Sequence, residues 1–293
     1  MLNKRPALSP NTINEVHNQT HYMEIEDDDS YEKATTRQRA ITISYSSPKP
    51  KTELFMGMPE EQGMKDFKNL ASVKTGLKAD TSVTEEDENY FDQVSGKIKG
   101  FRFGRFLERH GIKEKFRVKM LDWMIEVLGI YQQSTSTLFK SLFILDLYYD
   151  QSQQKIELEE LHLNGMVCMM IASKAEEVNF IKLKAVTETI GRNKFSREQI
   201  IKREVEILKA INFRTNFPTI YDLLRVSFRY VRFTCDKTDA FFRRSAFLLA
   251  KMCLFSYDLL TSLSLKEIAL YSIIIALKVS QKHACFNCDN YVS

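Results

Sequence analysis

Residues 161–177 read LHLNGMVCMMIASKAEE, and this stretch decides the fold. From position 161 to 172, apolar and small side chains occupy every side of a helical wheel. His162 and Asn164, near the start, are the main polar exceptions. A helix that is apolar all round belongs at the centre of a bundle, not on its surface. Gly165 and Ala172 let neighbouring helices approach closely. Lys174 is then the first cation where the helix reaches the surface, and the helix dipole favours a cation near a C-terminus. A lysine that merely ends a buried helix satisfies this pattern, so any further role depends on what lies opposite it.

Helical patterns surround this stretch. KFRVKMLDWMIEVLGIYQ (115–132) and STLFKSLFILDLYYDQ (136–151) precede it; KLKAVTETIG (182–191) and SREQIIKREVEILKAINF (196–213) follow. Ser196 and Gln199 form a capping-box pair, each able to satisfy a free backbone N–H of the first turn. In NFPTIYDLL (216–224), Pro218 ends one helix, and Thr219 with Asp222 carries the start signal of the next. Two more helical patterns occupy 239–260 and 264–281, the last opened by a Ser264/Glu267 capping box, so three helices are predicted beyond Pro218. No strand-type alternation or hairpin signal occurs from Asp87 onward. The expected class is all-α with short connections.

The chain has 293 residues, 44% hydrophobic and 27% charged, enough for one or two domains and a tail. A net charge of +4 makes no case for a nucleic-acid surface. No run of about 18 uncharged apolar residues is present, so no membrane span is expected. The opening MLNKRPALSPNT lacks an apolar signal core, and secretion is not expected. Five scattered cysteines suit a reducing compartment. Ten glycines and six prolines permit long helices and disfavour a turn-rich β fold.

Residues 1–86 read as a disordered regulatory tail, rich in Asn, Ser, Thr, Asp and Glu. It holds two Ser-Pro dipeptides, a small apolar knot at 54–58, and Arg5-Pro-Ala-Leu8. The helical region divides at Pro218 into 87–216 and a shorter 217–293.

Two helix faces invite a closer reading. Ile200, Ile207 and Ile211 share one face of the 196–213 helix, and Glu204 sits on it. A carboxylate among isoleucines is costly unless partnered or at the rim. Lys174 and Glu204 are expected to meet at one end of the bundle as a charged pair with spare hydrogen-bonding capacity. The 115–132 helix has two apolar faces: Val118, Leu121, Ile125 and Leu128 on one, Phe116, Met120, Trp123 and Val127 on the other. The second either packs under another helix or forms an open groove for a partner's apolar side chains.

These residues resemble a known family. FRVKMLDWMIEV is similar to the cyclin-box signature through Arg117, Asp122, Trp123, Glu126 and Val127. LHLNGMVCMMIASKAEE resembles the family's third-helix motif through Leu161, Leu163, Gly165, Ala172, Ser173, Lys174, Glu176 and Glu177. REVEILKAINF matches the fifth helix at Glu204, Leu208, Lys209 and Phe213, and NFPT matches the junction into a second repeat. The motifs lie closest to A/B-type mitotic cyclins and cover about 87–283.

The resemblance implies a cyclin fold: a five-helix box at 87–216 and a shortened second repeat. It implies a regulatory, non-catalytic subunit that activates a cyclin-dependent protein kinase in cell-cycle control, in nucleus or cytoplasm. Lys174, Glu204, Ala175, Phe213 and Glu177 would bind the kinase. Phe116, Met120, Trp123, Glu126 and His162 would form a docking patch for Arg-x-Leu substrates or inhibitors, and Arg5 with Leu8 a minimal destruction motif. The chain departs from the family in several places. Ala175 replaces a large residue, Lys119 an aliphatic, Phe116 a Met, His162 a Gln, and Leu147 an Arg after Asp146. The short second repeat would leave Ile273, Ile274 and Ile275 poorly covered.

The alternative is a cyclin-fold binding module of a transcription-related or scaffold complex that activates no kinase. DNA binding would need a basic face, whereas basic residues here are mostly interleaved with acids. No HExxH, Gly-rich phosphate loop or nucleophile elbow is present, so no catalytic residue and no cofactor is expected. His283-x-Cys285-x-x-Cys288 supplies three metal-ligand types without an evident fourth, and no metal site is expected.

Overall fold

The computed structural model describes residues 77–78, 93–94, 96–97, 101–229, 231–233 and 235–288. Arg5, Leu8, both Ser-Pro dipeptides and the apolar knot at 54–58 lie outside them. Helix α1 spans Phe106–His110, α2 Glu114–Ile130 and α3 Thr135–Gln151. Helix α4, Leu161–Glu176, follows a 3₁₀ turn at Leu158–Glu160. The short α5, Leu183–Ala185, runs into a π turn at Val186–Ile190, and α6 spans Arg197–Ala210. Beyond Pro218 come α7 (Ile220–Ser227), α8 (Asp236–Phe255), α9 (Tyr257–Ser262) and α10 (Leu265–Cys288). The fold is all-α, as the periodicity predicts. One two-residue ladder accompanies it, β1 (Leu77–Lys78) antiparallel to β2 (Arg232–Phe233). Its first half falls in the segment read as tail, where so short a pairing leaves no periodic signal.

The helix starts follow the capping rules. Ser196 Oγ accepts from the Gln199 N–H at 3.2 Å while Gln199 Oε1 accepts from the Ser196 N–H at 2.8 Å. Ser264 and Glu267 repeat the exchange at 3.2 and 2.7 Å. The Asp222 carboxylate accepts from both the N–H and the hydroxyl of Thr219 at 2.8 Å. Among the described residues the region after Pro218 holds four helices, not the predicted three, because the long pattern at 239–260 breaks at Ser256. That residue is extended, and its Oγ accepts from the Leu259 N–H at 3.4 Å to start α9. Neither Gly nor Pro marks the break, so sequence punctuation could not reveal it.

Helix α4 is central as expected, with every residue from 161 to 173 buried. Helix α3 is equally central, buried from 137 to 149, which its polar residues hide in the sequence. Each of them has a partner. Ser141 Oγ donates to the Thr137 carbonyl at 2.7 Å, Lys140 pairs with Glu176, and Tyr149 OH accepts from Asn164 Nδ2 at 3.0 Å. Asp146 receives Arg117 in a bidentate pair, Nε to Oδ1 at 2.8 Å and Nη2 to Oδ2 at 2.7 Å. Both side chains are only 2% exposed. The remaining Arg117 amine, Nη1, donates to the Leu254 carbonyl at the end of α8, 2.7 Å away. Leu147, where the family resemblance leads one to expect an arginine, is buried.

Further polar contacts join the two halves. Glu114 Oε1 accepts from the Tyr257 N–H at 2.8 Å, and Tyr257 OH donates to Glu108 at 2.8 Å while accepting from the Leu107 N–H at 3.0 Å. In α10, Ile273 is covered, Ile274 is half-buried and Ile275 is exposed, so the expected lack of cover holds for part of the run only.

Helix α2 buries both of its apolar faces. Leu121 and Leu128 are in the core with Met124, whereas Val118 and Ile125 are only half-buried. Phe116, Met120 and Val127 on the second face are buried as well. Gly165 makes this packing feasible: a Cβ there would lie 2.4 Å from Met120 Sδ. The Trp123 ring lies 4.7 Å from His162, whose other neighbour is Phe195 at 5.9 Å. Burial among these rings, with a lesser contribution from Lys194, pushes His162 down to about 4.

Two outcomes follow from this packing. Arg117→Ala or Asp146→Ala leaves a buried charge unpaired and costs about 3–5 kcal/mol, read as a lower urea midpoint. Replacing both, as Arg117→Met with Asp146→Leu, recovers much of that loss. His162 folds in its neutral form, with a pKa below its unfolded value near 6.5. Its contribution to stability is therefore complete above about pH 6.5 and is lost as the pH falls toward 4. His162→Gln makes the urea midpoint fall less over that window; an unchanged slope would remove His162 as its source.

Candidate functional site

The surface of interest lies where α4 ends. Ile200, Ile207 and Ile211 are buried and seat α6 against the bundle, which brings Glu204 on the same face to the last turn of α4. Lys174 Nζ meets Glu204 Oε1 at 2.6 Å, with the two side chains 40% and 17% exposed. The expected pair is therefore formed. An ion pair at such a rim adds little to stability. An ammonium carries three N–H donors and a carboxylate two acceptor oxygens, so a single contact leaves hydrogen-bonding capacity on both.

The end of α4 is fixed by its neighbours. Glu176 pairs with Lys140 and accepts from Ser136 Oγ at 2.6 Å. Glu177 accepts from the Ser134 N–H at 2.7 Å and from the Thr137 hydroxyl, at the N-terminus of α3. Burial pushes both carboxyls upward. For Glu176 the hydrogen bonds and charge of Lys140, with Ser136, outweigh burial. For Glu177 the bonds from Thr137 and Ser134 do so, and both groups end below the ordinary carboxylate range. Glu177, expected among the partner contacts, thus has its carboxylate turned onto α3. Its signal was the Ser134-x-x-Thr137 spacing at the start of that helix.

Beyond α4 the chain is pinned again. Ser173 Oγ accepts from the Ile181 N–H at 2.8 Å and is hydrogen-bonded to Gln133, whose Nε2 reaches the Asn179 carbonyl at 3.4 Å. Ala175 is exposed, as is Phe213, which is 63% accessible and holds a positive φ of 56° at the end of α6. Val178, Phe180, Ile201 and Val205 are also exposed apolar residues on these segments, and the sequence reading did not single them out.

The docking patch expected on α2 is a filled face. Phe116, Met120 and His162 are buried, Trp123 is half-buried and only Glu126 is exposed. The reason is the close approach of α4 at Gly165. Among the described residues no group of three or more His, Cys, Asp or Glu could hold a metal ion, and no helix is long and apolar enough to cross a membrane. The side chains of His283, Cys285 and Cys288 lie outside that description.

Residues 99–216 match the family model of the cyclin N-terminal domain. Cyclin-B1-1 of Oryza sativa subsp. japonica is 30% identical over 171 residues, 58% of this chain and 37% of that protein. Cyclin-A2-1 of Arabidopsis thaliana is 32% identical over 113 residues, 39% of this chain and 24% of the relative. The G2/mitotic-specific cyclin-B of Hydra vulgaris is 30% identical over 168 residues, 57% and 44% of the two chains. The matches span less than half the length of these relatives. The helical bundle, the domain match and these A- and B-type relatives agree that residues 99–216 resemble a cyclin N-terminal domain.

Proposed function

We propose that this chain is a regulatory subunit that binds and activates a cyclin-dependent Ser/Thr protein kinase, in the control of cell division. The observation that carries the reading is the Lys174–Glu204 pair, 2.6 Å apart at the solvent-facing end of a buried helix. It offers a donor and an acceptor side by side, the arrangement needed to hold backbone groups at the start of a kinase C helix. The clamped end of α4 supports it, because a preorganised donor loses little freedom on binding. The family relationship supports it as well: the relatives are cyclins, one of them named as G2/mitotic-specific.

The chain acts on conformation and supplies no reacting group. Its surface binds the kinase form whose C helix is turned inward, and so raises the population of that form. In that form the C-helix glutamate pairs with the ATP-binding lysine and the activation loop opens.

A pull-down with tagged protein from its own cell extract, followed by a protein-kinase assay on the eluate, tests the reading. Wild type is run beside Lys174→Ala and Glu204→Ala, with thermal melts to establish that all three are folded. Recovered activity falls at least about tenfold in each variant if the pair is the docking point. Folded wild type that recovers no kinase would overturn the reading and favour a cyclin-fold binding module without kinase activation.

A further inference from the structure

We infer that the cleft where α6 ends is a binding site for a nucleoside diphosphate, with Lys97 and Arg214 on the phosphates and Phe101 and Phe217 against the base. Two open hollows of about 740 and 630 Å³ adjoin there. They share Lys97, Arg214 and Phe217 and so form one continuous cleft. Each has the volume usual for a small-molecule site, about 300–1,000 Å³. The pair read as the kinase-docking point, Lys174 and Glu204, lines neither hollow, and of the expected kinase contacts only Phe213 does.

The floor of the cleft is apolar. Leu147 and Ile211 are buried, and Phe101 and Phe217 are half-buried with ring centroids 6.5 Å apart. Phe143, buried, packs on both rings at 5.8 and 5.6 Å and holds them in place. A flat ring laid against such a platform gains stacking as well as burial. The rim is cationic. Lys97 and Arg214 are exposed, and among the described residues neither side chain has an ion-pair or hydrogen-bond partner. No carboxylate is among the described residues that line the cleft. Arg214 is set at the rim by its backbone. The chain leaves α6 through two consecutive left-handed residues, Asn212 with φ 53° and Phe213 with φ 56°, a conformation that is costly for residues other than glycine. The turn is kept by the Phe213 N–H on the Leu208 carbonyl at 2.7 Å and the Arg214 N–H on the Ile211 carbonyl at 3.1 Å.

These features select the ligand together. A guanidinium offers two parallel donors to a phosphate, and an ammonium beside it adds a second positive charge. Cations without a carboxylate select an anion, and the aromatic floor selects one that carries a ring. The Asn212 and Asn216 amides, one in each hollow, each hold a donor and an acceptor, the pair that an adenine edge presents in reverse. ADP meets all three demands.

The full chain is titrated by isothermal titration calorimetry with ADP, adenosine and inorganic pyrophosphate. The ADP titration is repeated on Lys97→Ala with Arg214→Ala, and on a control, Lys184→Ala with Lys202→Ala. The control removes two other cations whose side chains are each 80% exposed. ADP is expected to bind with a dissociation constant below about 1 mM. Adenosine and pyrophosphate each bind at least about tenfold more weakly, since each lacks one half of the ligand. Loss of Lys97 and Arg214 weakens ADP binding at least about tenfold with an unchanged melting temperature, and the control binds like wild type. No ADP binding up to about 1 mM would overturn the site. Pyrophosphate or adenosine as tight as ADP would do so too, because only one half of the ligand would then be recognised. Wild-type affinity in Lys97→Ala with Arg214→Ala would put ADP elsewhere, and equal loss in the control would reduce its binding to general attraction of anions; either result overturns the site. None of these outcomes alters the kinase pull-down, because Lys174 and Glu204 are untouched throughout.

Discussion

The buried Arg117–Asp146 pair is the constraint on which the rest of the architecture depends. Two opposite charges, each 2% exposed, give up their water, and a buried pair is not by itself a source of stability. What it supplies here is direction. The guanidinium has a fixed fork geometry. Two of its nitrogens are taken by Asp146 on α3, which leaves Nη1 aimed at the Leu254 carbonyl. That carbonyl lies in the last turn of α8, where helix carbonyls have no intrahelical partner. One side chain thus satisfies a carboxylate in the first half and a helix end in the second. The break at Ser256 follows at once, and Tyr257 just beyond it is held by Glu108, Glu114 and the Leu107 N–H.

A second consequence is that the core has two central helices. Helix α4 advertises its position through composition. Helix α3 carries lysine, aspartate, serine and two tyrosines, and is buried as completely because every one of these groups finds a partner inside. Such a helix costs more to desolvate than an apolar one and accepts fewer neighbours. The pairing of α3 with α4 is therefore specified by polar matches, Lys140 with Glu176 and Tyr149 with Asn164, as well as by volume.

What was legible in the sequence was whatever repeats with the helical period or caps a helix end. The buried course of α4, the capping pairs at Ser196, Thr219 and Ser264, and the place of Glu204 on the isoleucine face of α6 all follow from spacing alone. Four features did not. Arg117 could be matched to a motif, but its partners lie 29 and 137 residues away, and no local pattern points to them. The break at Ser256 has no Gly or Pro to mark it. On α2, two apolar faces were visible, but only the position of Gly165 decides that the second is filled. Glu177 was placed among the partner contacts by the family resemblance, and its carboxylate accepts from the Ser134 N–H and the Thr137 hydroxyl at the start of α3.

That last point bears on how so short a motif can build a surface. Successive helix residues are turned by about 100°, so the four that end α4 point around the whole circumference, and Glu177 follows in extended backbone. In Ser173-Lys174-Ala175-Glu176-Glu177 each direction has its own use. Ser173 ties the chain beyond the helix, Lys174 meets Glu204, Ala175 faces solvent, and the two glutamates fasten the helix end to α3. The lysine is held in place by its neighbours and not by its own contact, which at a solvent-facing rim is weak. The two carboxylates turned onto α3 therefore fix the helix end that carries Lys174. The same fastening holds the following segment in place and keeps Val178 out in solvent, because a chain pinned at both ends cannot retract its apolar side chains into the core.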